Sequence, residues 1–517
     1  MQGQKNYRWW LAVLTGVLLG VTGTYIHSWF VWTAFVPLIL AMKKAPGLKG
    51  VAALAFFAAV PAGLIMFWWL VPAVQRFTGS GTWIGLVGLV FFTFTLFFWL
   101  LALFGAFRFI LHRMEGAGMH GFWMPTVLFA LLFFLIDFLR VHSFQGLVWN
   151  KFTLSAYLAG SPHSMQLSPL IGALGVGLMV AGVNHLLAEA IARKNIRPFL
   201  TGAGIFLANL IYGYAVIEAG GGHSPYASGP KVAILSGNVP AEAKWEESGD
   251  RIVVRMLGLV SQAGRERPDL MVWPESALPW TYMDGDDILV EIARITGGHA
   301  TQSIMGYLSA DEQRPDKVYN SAYLIGHDAR FLGRYDKIRL LDFTEQPFGA
   351  GGMLSMALPV TFENVVAGSE LSLLNTRIGS ARVMICNESL LPWYFTRPRE
   401  TPDFLVNMNN NAWVEGTPYE WLHFDVAAQR AIETRKDLIV SSNRGVSGIV
   451  NKYGVVLLSQ HSDEPLLLTG RIRPNTSRTL YARMPLLLPA TSFIALIALT
   501  FFPFRKKPYL FTKTKTL

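Results

Sequence analysis

Residues 383–388 read Val383-Met384-Ile385-Cys386-Asn387-Glu388 and hold the single cysteine of the chain. An apolar run leads into a thiol and a carboxylate follows at once, as expected where a buried strand ends and its last side chains enter a cleft. Alone this signal is weak, because a free cysteine is most often a small, inert, buried hydrophobe. Its weight depends on what the rest of the chain supplies. One cysteine excludes an intramolecular disulfide framework and any Cys-based zinc site.

Around this stretch the composition divides the chain. With 52% hydrophobic and 15% charged residues and a mean hydropathy of +0.36, it is too apolar for an ordinary soluble enzyme. Long apolar runs broken by basic clusters fill residues 1–217, Lys231 to Arg483 has the mixed texture of a globular domain, and a second boundary follows at Met484. The expected parts are a transmembrane domain, 1–219, a catalytic domain, 220–483, and a last spanning helix with a basic tail, 484–517. Many Lys and Arg flank the apolar runs, where they face anionic head groups, so the net charge of +10 implies no nucleic-acid partner.

A spanning helix needs about 20 mostly apolar residues. Seven candidates precede the polar domain: Trp9–Thr24, Ser28–Met42, Val51–Val71, Trp83–Leu111, Phe122–Arg140, Leu167–Ala190 and Phe199–Ile217. Pro485–Phe504 is an eighth, and the first two are short enough to form a tight hairpin. No clear small-x-small site follows the first, which argues against a cleaved signal peptide. The basic clusters do not all fit strict alternation; the simplest arrangement puts both termini, with Arg505, Lys506 and Lys507, in the cytoplasm and the polar domain outside. The segment from His142 to Met165 carries Trp149, Asn150, Lys151 and Tyr157, whose aromatics suit interfacial anchoring as well as guiding of substrate.

Within the polar domain, strand-like runs at Lys231–Pro240 and Asp269–Pro279 alternate with helical patterns at Asp250–Gly264 and Ile288–Thr296, which predicts an α/β sheet. Glu275, Lys337 and Cys386 each stand at or just beyond the end of an apolar run. A thiol needs a proton acceptor to become a thiolate at neutral pH, and the tetrahedral intermediate of acyl transfer needs positive charge or donors at its oxyanion. A carboxylate and an ammonium meet both needs. Singly, Glu275 reads as an ion-paired carboxylate and Lys337 as a solvated charge; at three strand ends together, that reading is less comfortable. A competing Cys/His dyad would draw on His423, His327 or His461, for all of which a surface or capping role is expected. No metal or nucleotide motif is visible, and no cofactor is expected.

With these motifs in order, the sequence resembles the nitrilase superfamily, and in particular its membrane-bound branch, the apolipoprotein N-acyltransferases. The resemblance rests on Trp273-Pro274-Glu275, Tyr319-Asn320-Ser321, Tyr335-Asp336-Lys337 followed by Phe343 and Glu345, and Ile385-Cys386-Asn387-Glu388. It continues through Asn407-x-Asn409-Asn410-Asn411-Ala412-Trp413, the helix with Trp421, His423 and Arg430, and Ser442-Asn443-x-Gly445. It covers nearly the whole chain and implies a multi-pass α-helical membrane domain of eight helices, with an α/β nitrilase-like αββα sandwich between the seventh and eighth.

The resemblance further implies a Glu-Lys-Cys triad. Cys386 would take an acyl chain from a phospholipid as a thioester, Glu275 would deprotonate first the thiol and then the attacking amine, and Lys337 would stabilise the oxyanion. Glu345 and Glu388 would hold or tune Lys337, and Trp245 would lie near a lipid entry route. The implied acceptor is the S-diacylglyceryl cysteine of an apolipoprotein, at the bacterial inner membrane, with the enzyme a monomer. Two departures mark the site: Asn387 stands where the family usually has tyrosine, and Leu340-Leu341-Asp342-Phe343-Thr344 lacks the usual proline and glycine before Glu345. They make Asn387 a candidate substrate-binding residue and leave open donor preference and the acceptor. A membrane-tethered amidase that uses water as second nucleophile, an N-acyltransferase for another amine, and a lipid-binding scaffold with a vestigial triad are the alternatives.

Overall fold

In the computed structural model, β1 (Lys231–Ser236) sends Val232 and Ile234 into one apolar core and Ala233 and Leu235 into another, as the period of two along a strand requires. Residues 3–501 are described, apart from 25–28, 44, 46, 80, 117–120, 144–152, 242–244, 279, 284–285, 312, 315, 343, 347–363 and 393–399. The basic tail Arg505, Lys506 and Lys507 therefore lies outside the described residues, as do Trp149, Asn150, Lys151 and Phe343.

The first sheet has the order β12-β1-β2-β3-β4-β5, with β2 at Leu270–Val272, β3 at Gln302–Ala310, β4 at Val318–Ile325, β5 at Phe331–Asp336 and β12 at Leu466–Arg471. Pairing is parallel from β1 through β3 and antiparallel at both flanks. The second sheet runs in the mirror order β11-β10-β9-β8-β7-β6, with β6 at Leu374–Thr376, β7 at Gly379–Ile385, β8 at Phe404–Asn410, β9 at Leu438–Asn443, β10 at Gly445–Val450 and β11 at Val456–Ser462. Here β7, β8 and β9 are parallel. Val232, Ile234, Ile304, Val383, Val406 and Val440 belong to a single core that joins the sheets. Each such side chain contributes about 1.5–3 kcal/mol relative to exposure.

Helices complete four layers. Trp245–Arg265 and Asp287–Thr296 cover the first sheet through Ile252, Met256, Val260, Leu289 and Ile292. On the second sheet lies Tyr419–Thr434, whose Phe424, Ala427, Ala428 and Ala431 recur at helical spacing and join the inter-sheet core. Its Tyr419, Val426 and Ile432 instead enter the core of the membrane helices. This helix is thus the shared wall of the two domains. It stops at Arg435, with φ at 55°, and the Lys436 amide bonds back to the Ala431 carbonyl at 3.1 Å.

The membrane part begins with Gly3–Thr24, which packs on Gly47–Phe67. Among the described residues, five helices are long and apolar enough to cross a membrane: Gly47–Phe67, Thr82–Glu115, Trp123–Ser143, Ser168–Arg193 and Ile196–Ala219. The expected span Ser28–Met42 is instead a 3-10 turn, Trp29–Trp32, followed by a helix of eight residues, Val36–Lys43. Buried Asn184 accounts for the break: its amide donates to the Val31 carbonyl and its Oδ1 accepts from Phe35 N, both at 2.9 Å. Backbone groups freed in an apolar interior need such partners. The expected span Val51–Val71 also ends early, at Phe67, and a separate helix, Leu70–Thr78, carries the chain beneath the sandwich. Tyr157 is buried between helices, with its hydroxyl 3.3 Å from Met66 Sδ, rather than anchored at an interface. The closing helix is described from Leu487 to Phe501.

Candidate active site

Glu275 follows β2 by a short loop, Lys337 follows β5 directly and Cys386 follows β7 directly. The structure brings these strand ends together. Lys337 Nζ lies 3.1 Å from Glu275 Oε1 and 2.8 Å from Glu345 Oε1, and all three side chains are largely buried. Asn320, near the start of β4, donates its amide to Glu275 Oε1 at 2.8 Å, and the Asn410 backbone N–H donates to Glu275 Oε2 at 2.9 Å. The second oxygen of Glu345 accepts from Leu341 N at 2.8 Å. Gly306 lies beneath Glu275: a Cβ there would meet Pro274 O at 2.4 Å and Ser276 N at 2.7 Å.

Cys386 adopts φ of 55°, a conformation rare outside glycine and asparagine. Such a residue costs about 1–3 kcal/mol and persists only where its surroundings hold it. Burial, and after it the negative charge of Glu275, pushes the thiol well above its ordinary range, with Lys337 pulling partly the other way. The resting group is therefore a thiol. For Lys337, burial opposes the charge, but Glu275 and Glu345 together hold the ammonium well above the usual lysine range. It stays cationic.

The other expected site residues fall differently. Glu388 is fully buried. Its carboxylate accepts from Tyr335 OH at 2.9 Å, Ile338 N at 2.9 Å, Arg339 N at 3.0 Å and Ile385 N at 2.9 Å. It thereby ties the backbone just after Lys337 to the backbone just before Cys386. Asn387 is buried at the cavity wall, and its Oδ1 accepts from the Tyr419 hydroxyl. Trp245 opens its helix, but its side chain lies outside the described residues. His423, expected at a surface or cap, is fully buried, and its Nε2 lies 3.2 Å from the Cys386 carbonyl oxygen. Burial lowers its pKa to about 4, so the ring is neutral at pH 7. Among the described residues no group of three or more His, Cys, Asp or Glu side chains is arranged to hold a metal ion.

A cavity of about 710 Å³ opens onto the triad. Glu275, Lys337, Asn387 and Cys386 line it together with Leu70, Phe77, Ile84, Val87 and Phe91 of the membrane helices. Polar chemistry and an apolar bay share one space.

Residues 231–481 match the carbon-nitrogen hydrolase family, and residues 10–186 match the apolipoprotein N-acyltransferase N-terminal domain. Both parts of the chain are thus similar to apolipoprotein N-acyltransferases. A Geobacter metallireducens apolipoprotein N-acyltransferase is 26% identical over 499 residues, covering 92% of this chain and 91% of that protein. One from Rhizobium rhizogenes is 32% identical over 345 residues, 62% of each chain. Among solved structures, Saccharomyces cerevisiae Nit3, a member of branch 10 of the nitrilase superfamily, is similar over 48% of this chain and 91% of its own, at 16% identity and a TM-score of 0.37.

Asn320, the Asn410 amide, Asn407, Tyr419 and the membrane side of the cavity are parts of the site that the sequence does not announce. Asn320 and Asn407 stand inside motifs that were legible, but nothing in an amide side chain marks it as a carboxylate partner until β4 and β8 are placed beside Glu275 and Cys386. The cavity residues of Leu70–Thr78 and Thr82–Gly116 carry no local signal, because an apolar side chain facing a cavity reads like one facing lipid.

Proposed function

We propose that the protein takes an acyl chain from a membrane phospholipid onto Cys386 as a thioester and passes it to the N-terminal amine of the S-diacylglyceryl cysteine of a lipoprotein. The family makes the chain an acyltransferase of lipoprotein maturation; the donor, the acyl carrier and the residue roles are our reading. The observation that carries it is the continuity of the cavity from apolar membrane helices to the triad. A lipid tail can stay in an apolar bay while its ester carbonyl reaches a buried thiol, so proximity is gained without moving the lipid into water.

In the first half-reaction Glu275 accepts the Cys386 proton as Sγ bonds to the ester carbonyl carbon, and the oxyanion develops beside the Lys337 ammonium. The carbon–oxygen bond then breaks, the departing alkoxide takes the proton back from Glu275, and a lysophospholipid leaves. In the second, a neutral amine attacks the thioester carbonyl, Glu275 takes its proton, and the carbon–sulfur bond breaks as that proton returns to sulfur. A high-pKa thiol is a strong nucleophile once deprotonated but a poor leaving group. One carboxylate able to take and return the proton serves both steps. Glu345 keeps Lys337 in place, and Glu388 holds the two loops in register.

The same reading places the sandwich on the outer face of the inner membrane, both termini in the cytoplasm, and the short and partly described apolar helices with the five long ones as a membrane domain. The test is incubation of purified protein with phosphatidylethanolamine and a synthetic S-diacylglyceryl-cysteine peptide, followed by mass analysis. An N-acylated peptide with equimolar lysophospholipid supports the reading. Free fatty acid with unmodified peptide contradicts it and points to hydrolysis.

A further inference from the structure

The mechanism above uses the Cys386 thiol but leaves its carbonyl, and the buried histidine against it, without a role. Three side chains converge on that oxygen: Asn407 Nδ2 at 3.2 Å, His423 Nε2 at 3.2 Å and Ser389 Oγ at 3.3 Å. A carbonyl oxygen can only accept, so a neutral His423 must carry its proton on Nε2. Its Nδ1 lies 3.2 Å from Asn411 Oδ1; with the proton on Nε2, a half-turn of that amide brings its NH2 group to the ring nitrogen. Through Nε2 the ring addresses the backbone carbonyl of Cys386.

This convergence falls on a strained residue. Cys386 is held at φ 55°, in the left-handed region, where a side chain with a Cβ does not settle by itself. Asn407 also donates to the Met384 carbonyl at 3.1 Å, so the same amide pins the last strand residues and the nucleophile's own peptide. His423 and Asn407 are both completely buried, which removes competition from water for these bonds.

We propose that His423, acting with Asn407, is a positioning residue that holds the Cys386 peptide in its left-handed conformation and so fixes the direction in which the thiol enters the cavity. The proposal rests on Cys386 as the nucleophile, and its test does not depend on which lipid or amine the enzyme uses. Because the chain has a single cysteine, alkylation by iodoacetamide reports Cys386 alone. Two replacements of similar length separate the donor from the packing: His423→Gln keeps an N–H for the carbonyl, and His423→Met does not.

The expected result is that His423→Met slows both alkylation and acyl transfer by about 10²-fold through kcat, with KM for phospholipid within about twofold of wild type, whereas His423→Gln recovers most of the rate. The pH at which alkylation reaches half its plateau should be the same in all three proteins. Equal rates in the Gln and Met variants would overturn the proposal, since packing alone would then matter. A shift of the alkylation pH profile in either variant would also overturn it, because the ring would then be acting on the thiol proton. Should the Met variant fail to fold, Asn407→Leu in the full-length protein tests the same restraint. A comparable alkylation loss supports the proposal and an unchanged rate sinks it.

Discussion

Trp69 and Tyr419 stack with ring centroids 4.6 Å apart and planes 28° from parallel. Trp69 is fully buried between the helices Gly47–Phe67 and Leu70–Thr78, and Tyr419 begins the helix that divides sandwich from membrane. The hydroxyl of the same tyrosine reaches Asn387, next to Cys386, the proposed nucleophile. Arg76 adds a second tie, donating to the Glu415 carbonyl at 2.5 Å. The nucleophile loop is therefore joined to a membrane helix by two side chains in contact.

That relationship separates packing from hydrogen bonding. Tyr419→Phe keeps the stack and removes only the bond to Asn387, at about 1 kcal/mol, while Tyr419→Ala leaves a cavity against Trp69 and costs about 3–5 kcal/mol. Thermal unfolding in detergent should show a small shift for the first and a large one for the second. Equal shifts would mean that the stack contributes little.

The triad's charges predict an order of damage. Glu275→Gln removes the proposed proton acceptor and should slow acyl-enzyme formation about 10²–10⁴-fold. Lys337→Met should slow it about 10²–10³-fold, and it also leaves Glu275 and Glu345 buried side by side without their shared cation. Glu345→Gln leaves the Lys337–Glu275 pair intact and should be the mildest of the three. Single-turnover release of lysophospholipid orders them; a Glu345→Gln defect as deep as that of Glu275→Gln would reassign the base.

Gly306 offers a test at a distance from the chemistry. Any Cβ there runs into the backbone of residues 274–276, so Gly306→Ala must displace Glu275. A displacement of about 1 Å is enough to lower turnover about 10²-fold. The measurement is kcat in a protein shown to retain its unfolding temperature; unchanged turnover would show that the base tolerates movement.

Acid should expose the buried histidine. Folding lowers the His423 pKa from 6.5 to about 4, so between these values the unfolded chain binds a proton that the folded one refuses. Stability is lost as pH falls from about 6.5 to about 4 and changes no further from this group below that. The shift corresponds to about 3 kcal/mol. His423→Gln should flatten the pH dependence of the unfolding temperature over that interval, and a slope equal to wild type would show that His423 does not carry it.

Much of this architecture was legible because each signal was physical and local. The apolar runs at β1 and β2 and the helical spacing in Tyr419–Thr434 announced the alternating layers, and the strand-end positions of Glu275, Lys337 and Cys386 singled out three residues that the sheets bring together. Elements at sheet edges were not legible. β6 has three residues, and β11 is mostly exposed or half-buried, with polar Ser459, Gln460 and His461, so neither shows a buried-strand pattern. The break at Val31–Phe35 was hidden because its cause, Asn184, lies about 150 residues away. His423 was misplaced for a similar reason: within its own helix it looks like an ordinary polar position, and only the approach of the 386–389 turn makes it internal. Glu388 stood out in its motif, but its partners, three backbone amides and the Tyr335 hydroxyl, are displayed by no sequence pattern.

The most direct test of the account is the intact mass of the purified protein after incubation with phosphatidylethanolamine and no acceptor, for wild type and Cys386→Ser, under conditions that preserve thioesters. The account predicts one added acyl chain on the wild type alone, removed by hydroxylamine and chased off by an S-diacylglyceryl-cysteine peptide. An unmodified wild-type mass while acyl transfer to the peptide proceeds would contradict Cys386 as the acyl carrier.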